Sequence, residues 1–169
     1  DLSGHRGLAT SQGAKGTDMA TVTASLKQGT RVDIRSRQFL WRSDEPPGAG
    51  ADSGPTPYEF LLGSLAACTA MTLRLYADHK EIPLAGVDVD LEFDRIHADD
   101  CVDCDERADG LVERVRSNVT IRGDLTDAQR ARLTQVAKRC PVHKSLDNGV
   151  HIVDSIAFPD TETASGNPT

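Results

Sequence analysis

The chain has 169 residues, enough for one domain with a real core and too few for two comfortable ones. Apolar residues make up 38% and 14 glycines add to them, so the chain is expected to fold; its formal charge of −7 argues against nucleic acid or anionic lipid as partner and favours a small molecule. No unbroken run reaches the roughly 18 apolar residues of a membrane helix, and the N-terminal stretch lacks the apolar core of a signal peptide, so a cytoplasmic address is expected.

Residues 1–18 are polar and without period, which predicts a flexible tail; Met19 is a natural start, residues 19–160 a single domain, and 161–169 a second flexible tail. Val22, Ala24 and Leu26 alternate with polar residues, Gly29 interrupts, and Val32 and Ile34 resume before the cluster Phe39, Leu40, Trp41: a β-hairpin. The stretch SDEPPGAGADSGPTP, residues 43–57, holds four prolines and three glycines and reads as a long loop. Thr56-Pro57-Tyr58-Glu59 then fits a capping box, with proline at the first helical position, and Leu61, Leu65, Cys68, Thr72 and Leu75 recur at helical spacing to about Lys80.

Val87, Val89, Leu91 and Phe93 alternate on one strand, and Leu111, Val115, Val119 and Ile121 share a parity on the next, with the acidic loop HADDCVDCDERADG between them. A second capping box, Thr126 with Gln129, opens a helix whose Leu133, Val136, Ala137 and Cys140 share a face, and Pro141 reads as its stop. Val150, Ile152 and Ile156 suggest a last strand. The order ββ, α, ββ, α, β predicts an α+β fold, an antiparallel sheet with two long helices.

Cytoplasmic cysteines point to catalytic or metal-binding thiols rather than structural bridges. Cys68 and Cys140 sit on the apolar faces of two helices that share one core, so they could meet; buried cysteine as a small hydrophobe is the competing reading. If they meet, a hydroperoxide is attacked by one thiolate to give a sulfenic acid, which the other thiol condenses to a disulfide. Cys140 at a helix C-terminus faces the negative end of the macrodipole, partly offset by Lys138, Arg139, His143 and Lys144. Cys68, at mid-helix, needs a cation from elsewhere, so Cys68 as attacker and Cys140 as resolver is the preferred assignment.

The segments DEPPGAGADSGPTPYEFLLGSLAACTAMTLRLYADHK and RVRSNVTIRGDLTDAQRARLTQVAKRCPVHKSL resemble the OsmC/Ohr superfamily of osmotically inducible and organic hydroperoxide resistance proteins, over about Val22 to Phe158. The resemblance implies an intertwined homodimer, a peroxidase acting on organic hydroperoxides, a lipoyl-type dithiol as reductant, Cys68 as the peroxidatic and Cys140 as the resolving cysteine. Neither cofactor nor metal is expected. The family glutamate lies ten positions before the first cysteine, where this chain has Tyr58; Glu59, nine before, is about half a turn round the helix from Cys68, so that it points away from it, and is also the capping-box acid. Arg31, just past Gly29, is the nearest match to the active-site arginine, with Arg35, Arg37 and Arg42 as rivals.

Cys101 and Cys104 form a CxxC that with His97 supplies three metal ligands, one short of a closed site unless a second subunit completes it. Asp99, Asp100, Asp103, Asp105 and Glu106 disfavour thiolates there, so incidental loop cysteines rank above a labile disulfide, and that above zinc. His143, beyond Pro141, reads as a solvated histidine rather than a hydrolase base. The alternative to a peroxidase is a small-ligand-binding or metal-stabilised protein on the same scaffold.

Overall fold

The structure is a computed structural model that describes residues 20–97 and 110–158. Both expected tails, Met19, the Cys101 and Cys104 pair with its surrounding acids, and the side chain of His97 lie outside the described residues. The chain forms two compact units, Asp1–Phe60 and Leu61–Thr169.

In the first unit, β1 (Thr23–Leu26), β2 (Val32–Ser36) and β3 (Phe39–Ser43) form an antiparallel sheet in that order. The expected hairpin thus gains a strand, because Phe39–Trp41 pairs with β2. Ala24 lies opposite Ile34, and Ile34 opposite Trp41, so the alternating apolar residues line one face. The loop that follows lacks a ladder and is organised by one carboxylate. Asp44, 2% exposed, accepts the hydroxyls of Thr30 and Ser53, each at 2.7 Å, and the amides of Glu45, Ala51 and Ser53. These donors, Thr30 foremost, hold its carboxyl far below the usual carboxylate range. Gly50 is required here because a Cβ would run into the Glu45 carbonyl, the Asp44 carboxylate and the Thr30 hydroxyl.

Helix α1 (Pro57–His79) has the capping box expected of it: Thr56 N–H donates to Glu59 Oε2 at 2.7 Å and Glu59 N–H to Thr56 Oγ1 at 3.3 Å. In the second unit β4 (Leu84–His97) and β5 (Leu111–Gly123) make a two-stranded antiparallel ribbon. Val87, Val89 and Phe93 face Ile121, Val119 and Val115 on one side, while the other carries the cross-strand ion pairs Asp88 with Arg122, Glu92 with Arg116 and Asp94 with Arg114. Helix α2 (Asp127–Ala137) closes the core: Leu73 and Ala77 of α1, Leu84, Leu125, and Leu133 and Val136 of α2 form one buried cluster. Spacing of four along α1 places Leu65, Thr69, Leu73 and Ala77 on the buried line.

The α+β architecture with antiparallel sheets is present, with four departures from expectation, the first being that α1 buries Leu65, Thr69, Leu73 and Ala77 rather than the expected stripe Leu61, Leu65, Cys68, Thr72 and Leu75, which shares only Leu65 with it. Pro141 does not end a helix but begins one: α2 stops at Ala137 and α3 spans Pro141–Asn148 with Gly149 (φ 72°) at its C-terminus. The last strand is absent among the described residues; residues 150–158 carry no regular secondary structure and are exposed, with Ile152 and Ile156 each more than 70% accessible, since alternation alone supplies no partner edge. Finally, α1 is long and apolar enough to cross a membrane by length and composition. Small and hydroxylated residues interrupt its apolar runs and hide this from a search for unbroken stretches.

Candidate active site

Cys140 is the N-cap of α3. Its backbone is extended (φ −64°, ψ 146°), Pro141 behind it needs no amide acceptor, and its Sγ accepts the His143 N–H at 3.2 Å. Its carbonyl accepts from Lys144 N–H at 3.1 Å, the first helical bond. The expectation that Cys140 lies at the negative end of a helix is therefore overturned: the positive, N-terminal end of α3 faces its sulfur.

A second donor comes from α1. Thr69, 4% exposed, gives its hydroxyl to Cys140 Sγ at 3.6 Å, and the sulfur itself is fully enclosed. Cys68 is the preceding residue, half-buried, and projects about 100° around α1 from Thr69. Both thiols are free. Sequence reasoning missed Thr69. The available signal was a hydroxyl at helical spacing within the apolar line Leu65, Leu73, Ala77.

His143 contributes its amide to the sulfur and its ring to another group: Nε2 lies 3.3 Å from Asp147 Oδ2, one helical turn on. The imidazole does not contact Cys140 as a hydrolase base would. Next to these residues is a cleft of about 900 Å³ between α1, β5, α2 and α3, lined by Leu65, Thr69, Val119, Ile121, His143 and Leu146 among others.

The other two candidates belong to the first unit. Glu59 is exposed and committed to its capping box, where the Thr56 amide and then the Thr56 hydroxyl hold its carboxyl below the ordinary value. Arg31 is exposed at the start of β2 and lines a cleft of about 710 Å³ with Lys27, Thr30 and Asp33. Of its rivals, Arg42 is paired with Asp33 at 3.2 Å and Arg37 lies over the Phe39 ring at 5.0 Å. Among the described residues, no group of three or more His, Cys, Asp or Glu side chains could hold a metal.

An α+β protein that, among the described residues, holds one cysteine enclosed at a helix cap and another half-buried on the long helix is the class that fold and geometry define. The sequence matches the family described as OsmC-like protein over residues 50–153, more than half of the chain, and the protein belongs to that family. An OsmC-like protein from Mycoplasma pneumoniae has a similar fold at TM-score 0.61 and 24% identity, over 77% of this chain and 88% of that one. An organic hydroperoxide resistance protein from Legionella pneumophila superposes at TM-score 0.55 and 20% identity, over 78% of this chain and 91% of that one. The organic hydroperoxide resistance protein OhrB of Bacillus subtilis does so at TM-score 0.51 and 22% identity, over 75% and 89% respectively. No curated protein matches the sequence.

Proposed function

We propose that this protein is a thiol-dependent peroxidase that reduces organic hydroperoxides through Cys68 and Cys140. The thiolate of Cys68 attacks the peroxide bond, taking one oxygen as sulfenic acid and releasing the alcohol; the thiol of Cys140 then displaces water to form the disulfide, and an external dithiol, of lipoyl type in the family, returns both thiols. The observation that carries this reading is the contact of Cys140 Sγ with Thr69, the residue next to Cys68, across 71 positions of sequence. Family membership and the hydroperoxide resistance named for two structural neighbours support it. The half-buried thiol is the one a substrate reaches, which supports Cys68 rather than the enclosed Cys140 as attacker. Arg31 is the proposed activating cation and Glu59 the candidate acid for it.

The proposal includes a homodimer in the cytoplasm. Met71 and Leu75 of α1 are 63% and 70% exposed in the single chain, as are the apolar residues of 150–158 to similar or greater degree, and a second subunit would cover them.

One equivalent of cumene hydroperoxide tests the order of events. Cys68→Ser is expected to consume none, because a serine hydroxyl stays protonated near neutrality. Cys140→Ser is expected to consume close to one equivalent and to retain a sulfenic acid on Cys68 that dimedone traps, as read by mass spectrometry. Adduct on Cys140 instead would reverse the roles. No consumption by the wild type would favour a second reading, a small-ligand-binding protein, which two observations support: the Glu59 carboxylate is engaged at its own helix end, and the cleft beside Thr69 has the size of a ligand pocket.

A further inference from the structure

The Cys140 sulfur holds two elements together. It accepts the His143 amide, which caps α3, and the Thr69 hydroxyl of α1. Helix α3 has little else to hold it, for none of its eight residues is buried. A disulfide to Cys68 disturbs this arrangement. Adjacent helical residues do not share a face, so a sulfur bonded to Cys68 has to swing off the line on which Thr69 meets it. A sulfur so moved no longer points at the His143 N–H.

We infer that Cys140 is a redox-sensitive cap: reduced, it locks the first turn of α3; joined to Cys68, it releases that turn. This rests on the proposed Cys68 and Cys140 cycle and deepens it. The balance is that of the cycle: thiol and organic hydroperoxide give sulfenic acid and alcohol, and sulfenic acid and the Cys140 thiol give disulfide and water. Release has a purpose in the next step. A dithiol must approach one sulfur of the disulfide along the bond, and the Cys140 sulfur is 0% exposed in the reduced fold. Since α3 supplies His143, Leu146 and Asp147 to the cleft wall, loosening it opens that wall when a reductant must enter. Thr69 is the positioning residue that returns the sulfur to its cap after reduction.

The test is amide hydrogen exchange of peptides covering 141–148, read by mass spectrometry on the full chain. Reduced protein is compared with protein oxidised by cumene hydroperoxide and, separately, by diamide, with the disulfide verified by peptide mapping. Loss of a cap corresponds to roughly threefold to thirtyfold faster exchange, and that is the rise expected in both oxidised samples. Cys140→Ser, which keeps a capping atom, is expected to exchange slowly with or without oxidant; Cys140→Ala is expected to exchange fast in both. A verified disulfide with unchanged α3 exchange overturns the inference, and so does equal exchange in the serine and alanine variants. Disulfide with diamide but none with hydroperoxide sinks the peroxidase reading, while the diamide sample still decides the cap. No disulfide with either oxidant overturns both.

Discussion

Leu133 is a fully buried member of the core, and replacing it by alanine gives a quantitative check. It is fully buried on α2 between Leu73, Ala77 and Val136, one turn and a half before the segment that carries Cys140. The substitution removes three carbons, about 2.4 kcal/mol of transfer free energy at ~0.8 kcal/mol per methylene. The cavity adds to this, and the total for a site that cannot collapse is about 3–5 kcal/mol. Helix α2 spans only 11 residues and the ribbon behind it is tied by cross-strand ion pairs, so little collapse is expected. Urea unfolding at fixed protein concentration reads the loss as a shift of midpoint at constant slope. A second readout is site-resolved: the enclosed Cys140 thiol reacts with a disulfide reagent only when the fold opens, so its labelling is expected to accelerate on the order of 10²–10³-fold, while Cys68, only partly buried, changes little. A loss under about 1 kcal/mol, or wild-type Cys140 labelling as fast as Cys68, would refute the reasoning.

Three other outcomes follow from particular residues. Leu75→Ala is expected to change stability by less than about 0.5 kcal/mol if its face stays in water, and by more, with a dependence on protein concentration, if a second subunit covers it; sedimentation and unfolding over a hundredfold concentration range distinguish the two. Thr126→Ala breaks the reciprocal capping box with Gln129 and is expected to cost about 0.5–2 kcal/mol in urea unfolding. Asp44 is held well below the ordinary carboxylate value in the folded state, so the unfolded chain takes up its proton first as the medium acidifies. Its contribution is therefore present above the unfolded value of roughly 3.9 and lost as pH falls toward the folded one, and Asp44→Asn is expected to flatten the acid limb of the stability profile and to speed proteolysis of the 44–53 loop at neutral pH.

What could be read without the structure is what neighbouring residues decide among themselves. Capping boxes at Thr56 and Thr126 and strict alternation through Val87–Phe93 are local patterns whose hydrogen bonds and faces close within a turn or a pleat, whereas the buried face of α1, the line Leu65, Thr69, Leu73 and Ala77, is set by what packs on it and was not the stripe read through Cys68 and Leu75. The local patterns were enough to recognise the α+β architecture, and the two cysteine motifs enough to recognise the family. Pro141 was read the wrong way because proline suits both the end of one helix and the first turn of the next, and only the fold decides which carbonyls and amides are free. The exposed apolar alternation of residues 150–158 is the same problem in a strand, where a ladder needs a partner edge that the segment cannot supply. The meeting of Thr69 with Cys140 is wholly tertiary: it brings a residue of α1 to the start of α3 across 71 positions of sequence that no spacing encodes, and it gives the capping sulfur of α3 a second donor.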